Sequence, residues 1–191
     1  MPKFDWAENW VRVQEHNDGL PYNMFEAAYW IAEGSTAVAG TDYTVSSGNY
    51  TVLTNKGFAY ISYLTNTGTS ITGTVTLNSG TTFDMSGKLW SPIAGDATAS
   101  AFSGTFIGTG AVITNISAAN YFGYSGGNVV TTNNNSHIAL IAKTNGATIK
   151  DVTINKSMFT GESYVASVVA EAKNTKINNC ITDADTVVTG N

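Results

Sequence analysis

The chain has 191 residues, of which 42% are hydrophobic and only 12% charged, about half the ~25% usual for soluble domains. Thr (27), Asn (19) and Gly (19) fill the gap; the apolar content excludes a disordered chain, and the rest suits hydroxyl and amide ladders joined by tight turns. Nine cations, a single arginine and a net charge of −5 exclude a phosphate-binding basic patch, so nucleic acid is not an expected partner.

The negative charge is concentrated at the start, where residues 1–33 hold six acids against Lys3 and Arg12. Trp6, Trp10 and Val13 fall at i, i+4 and i+7, which predicts a short amphipathic helix broken at Asn17-Asp18-Gly19. A second helical stretch runs from Tyr22 to Glu33 and is closed by Gly34. Met1 to Trp10 contains no apolar signal-peptide core, and no run approaches membrane-spanning length, so no membrane insertion is expected. Three of the four tryptophans lie in this region. Either the aromatics plug the end of the following domain, or they dock the chain on itself or on a larger assembly. Trp6, Trp10, Tyr22, Phe25, Tyr29 and Trp30 are the predicted interface.

Residues 1–48 are therefore read as a docking or capping segment, and 49–191 as a second region. Gly34 to Ser47 is small, polar and hinge-like. Tyr50-Thr-Val-Leu53 reads as a strand, and Thr54 caps a helix predicted over Asn55 to Asn66, with Phe58, Ile61, Tyr60 and Leu64 toward its buried side. Gly73 to Leu77 begins the first strand of the main body; Phe83 to Gly87 turns into Leu89-Trp-Ser-Pro-Ile93.

Phe102 to Ser117 then enters a period-2 strand through glycine turns. Its phrase recurs at Ala147 to Ile154 and Asn174 to Ile181, which sets Ile113, Ile149 and Ile177 in one register, each followed two residues later by Asn115, Asp151 or Asn179. Tyr121 to Tyr124 and Val129 to Thr132 are assigned to the intervening coil. A second phrase, His137 to Ala142 and Tyr164 to Ala170, precedes the last two strands. Recurrence at 20–50 residues marks a solenoid. Strands that always run the same way pair in parallel about 4.8 Å apart. The predicted fold is mainly β: a right-handed parallel β-helix with an N-terminal aromatic helical segment and a short capping helix, Asn55 to Asn66.

Phe83-Asp-Met-Ser-Gly87, Trp90-Ser-Pro-Ile93, Phe102-Ser-Gly-Thr-Phe-Ile-Gly-Thr-Gly110 and Ile177-Asn-Asn-Cys180 resemble the GLUG-motif β-helix repeats of bacterial surface and adhesin-like proteins. The resemblance spans about residues 49–191 and implies the fold more than any activity. Where that pattern favours glycine this chain has Ala139, Ala142, Ala166, Ser167 and Ala170, and Ile107 stands where an aspartate is common.

β-Helices also host glycan lyases and hydrolases. A lyase needs a strong base beside carboxylates, yet Arg12 lies outside the repeats; a hydrolase needs two carboxyls about 5–9 Å apart. Asp84, Asp96, Asp151, Glu162, Asp183 and Asp185 are scattered over different coils, with Asp183 and Asp185 the only close pair. His16 and His137 read as polar turn residues and Cys180 as a small core hydrophobe. The expected function is therefore non-enzymatic, with no catalytic residue, cofactor or metal assigned: a β-helical fibre or knob docked through its N-terminus on a larger assembly such as a phage capsid or tail. Self-association is expected, trimers being common among such fibres. A fragment of a cell-surface adhesin, extracellular and contacting surface glycan, is the alternative, and a glycan depolymerase the second.

Overall fold

The computed structural model describes residues 10–11, 22–23, 28–96, 99–119, 122–131 and 136–190. Strand makes up 45% and helix 11%, and parallel strands stack into a β-solenoid of about five turns with two helices. Each turn is assembled from strands of two to five residues separated by polar corners.

The first face is a six-stranded sheet in the order Lys176–Asn178, Thr148–Lys150, Thr105–Ile107, Thr74–Leu77, Asn49–Val52 and Tyr43–Ser46. All pairs are parallel except the last, a hairpin about Ser47 and Gly48. The second face stacks Ile181–Thr182, Thr153–Asn155, Val112–Thr114 and Thr82–Asp84. In the third, Val187–Gly190, Met158–Gly161 and Ser117–Ala118 pair in parallel, and single bridges carry the ladder on to Leu89 and Tyr29. Ser136–Ile138 with Ser163–Val165, and Ile141–Asn145 with Val169–Lys173, close the circuit.

Strand-centre residues point inward and stack. Tyr50, Val75, Phe106, Ile149 and Ile177 form one column, while Phe83, Ile113 and Ile154 form the next. Ile149 and Ile177 thus share a column as expected, but Ile113 does not: Phe106 occupies the place predicted for it. The cause is a corner that repeats within a turn as well as between turns. Ile149, Ile154 and Phe159 are all buried and sit five residues apart, one on each of three faces. The corners between them, Asp151 and Lys156, have φ of 56° and 48°. Asn115 and Asn179 take the same left-handed conformation, which asparagine and aspartate adopt more readily than other side chains. A polar corner two residues after an isoleucine therefore marks either of two faces. Stacked corners also bond to one another, Asn179 Nδ2 donating to Asp151 Oδ1 (2.8 Å) and Asn115 Nδ2 to Asp84 Oδ1 (3.0 Å).

The helix Asn55–Asn66 forms with the bounds its sequence predicts. Thr54 Oγ1 accepts from Gly57 N (3.2 Å) and itself donates to Asp42 Oδ1 (2.7 Å). Gly57 is required there, because a Cβ would overlap the Asp42 carbonyl. Phe58 enters the solenoid end, stacked on Trp90 at 4.9 Å between centroids and tilted against Phe83 and Phe106.

Two local expectations change. Phe122–Ser125 and Asn128–Thr131 form an antiparallel hairpin about Gly126 and Gly127, not rungs of the solenoid ladder. Both glycines have positive φ, as a tight hairpin turn demands. Trp10–Val11 and Tyr22–Asn23 pair as a short antiparallel ladder where helices were expected, and the helix near Glu33 is confined to Trp30–Gly34. The boundary placed after residue 48 falls in the turn of the Tyr43–Val52 hairpin, whose two strands belong to one sheet.

Candidate functional site

The two ends of the solenoid are finished differently, and that asymmetry defines the candidate site. At the N-terminal end, Leu89 N donates to Ala28 O (2.9 Å), and Trp30 N donates to Leu89 O (3.0 Å). Trp30 is only 8% exposed, and its Nε1 donates to Met85 O (2.8 Å). Lys88 lies 4.9 Å over the indole and 3.6 Å from Glu33.

The helix Asn55–Asn66 seals the adjoining edge with polar side chains. Ser62 Oγ donates to Ser91 O (2.6 Å) and Asn66 Nδ2 to Pro92 O (2.9 Å). Asn66 Oδ1 accepts from Gly95 N (2.8 Å) and Asp96 N (3.0 Å), while Thr65 Oγ1 accepts from Ala94 N (3.0 Å). Peptide groups that would otherwise invite another strand are thereby occupied.

At the opposite end, the strands Ser163–Val165, Val169–Lys173, Lys176–Asn178, Ile181–Thr182 and Val187–Gly190 each terminate their sheet, so one ladder edge of each has no strand partner among the described residues. Apolar side chains are exposed along this turn: Ile177 by 44%, Ile181 by 56%, Val187 by 50% and Val188 by 45%. One turn earlier, the residues paired with Ile177 and Val188, Ile149 and Phe159, are fully buried. Such an edge can add strands and bury apolar surface.

Of the six aromatics predicted as an interface, Trp30 belongs to the protein's own cap and is not part of an exposed face. Tyr29 is half-buried and bridges Leu89. Trp10 and Tyr22 lie in the short antiparallel ladder, and Trp6 and Phe25 fall outside the described residues. The structure brings together a different aromatic set, which the sequence reading missed. Tyr50, Tyr43, Tyr60, Tyr63 and Tyr124 form a continuous row with successive centroids 6.3, 4.2, 6.2 and 5.4 Å apart. Burial, with a hydrogen bond to Tyr43, holds the Tyr60 phenol well above its usual range. The i, i+3 tyrosines of the helix and the Ser47-Gly48 hairpin turn were the available signals.

The acids mostly serve the backbone. Asp183 accepts from Lys156 N through both oxygens (3.0 and 3.1 Å) and from Thr186 Oγ1 (2.7 Å). Asp42 lies below the usual carboxylate range, first because Val38 N donates to it; burial opposes this, and Thr54 and Lys56 add to it. For Asp84, burial raises the carboxyl but Asn115 and Ser86 outweigh it, leaving the group lowered. His137, in the middle of the Ser136–Ile138 strand with φ 61°, stacks on Tyr164 at 4.6 Å and lies 3.0 Å from Glu171. Burial pushes the Cys180 thiol up, and Sγ lies 3.4 Å from Asn178 O. Among the described residues, no group of three or more His, Cys, Asp or Glu is placed to hold a metal ion. No described helix is long and apolar enough to cross a membrane.

Comparison with protein-family models, with characterised proteins and with solved structures found no match.

Proposed function

We propose that the chain is a non-enzymatic structural and attachment element, a β-solenoid joined to a larger assembly. A virion fibre or knob is the favoured setting. The observation that carries the reading is the contrast between the ends. At one, Trp30 and side-chain bonds cover residues 89–96, although Tyr43–Ser46 and Thr82–Asp84 also end their sheets; at the other, five strands end their sheets beside exposed apolar residues. Edge strands that carry apolar side chains beside free ladder groups are suited to being joined by further strands, whether of this chain or of another. The acids support a non-catalytic reading, because Asp42, Asp84 and Asp183 are engaged by backbone N–H groups and neighbouring side chains. The aromatic and acidic segment before Ala28 remains the second proposed contact with the assembly.

Immunogold labelling of the source culture with antibody raised against residues 28–190 tests the setting. Gold on virus particles supports the favoured reading, and gold on the cell envelope supports a surface adhesin instead. Gold on neither structure overturns attachment. Reducing sugar released from a glycan panel, and abolished by Asp183→Asn or Asp185→Asn, overturns the non-enzymatic reading.

A further inference from the structure

The tyrosine row lies at the capped end, and sealing that end does not require it. The helix Asn55–Asn66 makes its seal with Phe58, Ser62, Thr65 and Asn66, all buried. Tyr60 and Tyr63 stand on the same helix at half-buried positions, and they meet Tyr43 and Tyr50 of one hairpin and Tyr124 of the other. Tyr43 is buried, whereas Tyr50, Tyr60, Tyr63 and Tyr124 each keep part of their surface in solvent. Successive ring planes from Tyr43 to Tyr60 to Tyr63 differ by only 19° and 22°, and Tyr124 closes the row edge-on at 77°.

The phenols of the row are used internally. Tyr60 is hydrogen-bonded to Tyr43, and Tyr124 Oη donates to Gly127 O (3.0 Å) and lies 3.1 Å from Ser35 Oγ. What the row offers a ligand is therefore rigid ring surface, with little conformational entropy left to lose. Charge around it is sparse and balanced. Between Tyr43 and Asn66 the one charged side chain is Lys56, and Phe122 to Thr131 contains none. Lys56 helps to lower the Asp42 carboxyl, and Glu33 pairs with Lys88 at 3.6 Å.

These properties select among ligands that use aromatic surfaces. Nucleic acids stack on aromatic rows but need cations for their phosphates, and acidic glycans need cations too. A proline-rich peptide docks on aromatic grooves, but its carbonyls call for donors, and the Tyr60 and Tyr124 hydroxyls are already committed. An uncharged sugar presents apolar C–H faces beside hydroxyls. The polar partners are at hand, because both hairpins turn through exposed Ser, Gly and Asn: Ser47-Gly48-Asn49 and Ser125-Gly126-Gly127-Asn128. Tyr with Ser, Gly and Asn is the composition of recognition loops, fixed ring area beside adaptable hydrogen bonding.

We propose that this row binds an uncharged oligosaccharide, with sugar C–H faces on Tyr60, Tyr63 and Tyr124 and sugar hydroxyls at the Gly126-Gly127 turn. The inference rests on the reading of the chain as an attachment element and names the ligand class of its capped end.

The test titrates the 191-residue chain, isotope-labelled in its tyrosine rings, with soluble oligomers of cellulose, chitin, mannan and starch. Oligogalacturonate and oligoproline serve as comparators, with affinity read by calorimetry. Binding of at least one neutral oligomer is expected, with resonance shifts at Tyr60, Tyr63 and Tyr124. Tyr63→Ala should weaken it about tenfold or more with the far-UV spectrum kept, and Tyr63→Phe should retain it. Absence of binding to every neutral oligomer overturns the proposal, as does binding that a folded Tyr63→Ala chain leaves unchanged. Preference for oligogalacturonate or oligoproline over all of them also overturns it. If Tyr63→Ala does not fold, the unmodified chain decides: shifts confined to tyrosines outside the row, such as Tyr164, refute the site. Gold on virus particles without sugar binding refutes only the sugar site. Sugar binding with gold on neither particle nor envelope refutes the attachment reading and leaves the site standing.

Discussion

Replacing Trp30 separates a capping tryptophan from a docking one. The side chain is 8% exposed, and its Nε1 donates to the Met85 carbonyl at 2.8 Å. Trp30→Ala removes the packing of a large aromatic, about 3–5 kcal/mol including the cavity. It also leaves the Met85 carbonyl without this donor, a further ~1–3 kcal/mol that overlaps in part with the first. A total of about 4–6 kcal/mol is expected, which at ~2–4 °C per kcal/mol lowers Tm by roughly 8–24 °C. Trp30→Phe keeps most of the apolar contact and loses the hydrogen bond, so it should cost about 1–3 kcal/mol. Urea unfolding followed by far-UV circular dichroism gives both values, with the chain dilute enough to be monomeric. A Trp30→Ala cost within about 0.5 kcal/mol of zero, the range of surface substitutions, would refute the placement of this ring in the cap. The cap also fixes how much of the N-terminus can be removed. Deleting residues 1–27 should leave the solenoid folded, whereas deleting 1–40 also removes the bridge to Leu89 and the buried Ile31 and should destabilise it severely.

Asn66→Ala strips acceptors and donors from Pro92, Gly95 and Asp96, so a loss of about 2–3 kcal/mol in the same urea assay is expected. Ile149→Asp places an unpaired charge between Phe106 and Ile177 and should prevent folding, seen as loss of the β spectrum. Ile177→Ala, in the same column but nearly half exposed, should cost only about 1 kcal/mol in the monomer because no cavity is enclosed. Asp42 is lowered below its ordinary 3.8, so its ionised form favours the folded state. That contribution is complete above pH 3.8 and is lost as pH falls through the still lower folded value. Urea midpoints should therefore drop below about pH 4, and less steeply in Asp42→Asn than in the parent.

The sequence disclosed those features that are local or that repeat. The helix Asn55–Asn66 was legible to the residue because Thr54 supplies the cap and Gly68, with φ of 99°, follows its end. The solenoid was legible because Ile149 and Ile177 recur with their polar corners. Register was not, since Ile154 and Phe159 repeat the phrase at five-residue intervals within one turn, and nothing local says which face a given isoleucine serves. The Phe122–Thr131 hairpin carries a glycine pair at its turn, but its flanking residues read equally well as coil strands. Trp30 shows the same limit at the candidate site. Aromatic enrichment marks large apolar surfaces, and whether they face the chain's own core or a partner depends on which edge is left open above them.

Residue-resolved hydrogen exchange, comparing the assembled protein with the dilute isolated chain, tests the central claim that one end is sealed and the other is made to be joined. Amides of the edges closed by Trp30 and Asn66, in Leu89 to Asp96, should be protected equally in both states. Amides of Lys176–Asn178, Ile181–Thr182 and Val187–Gly190 should exchange faster in the isolated chain and gain protection on assembly. Equal exchange of those three strands in the two states, with new protection appearing elsewhere, would contradict the account.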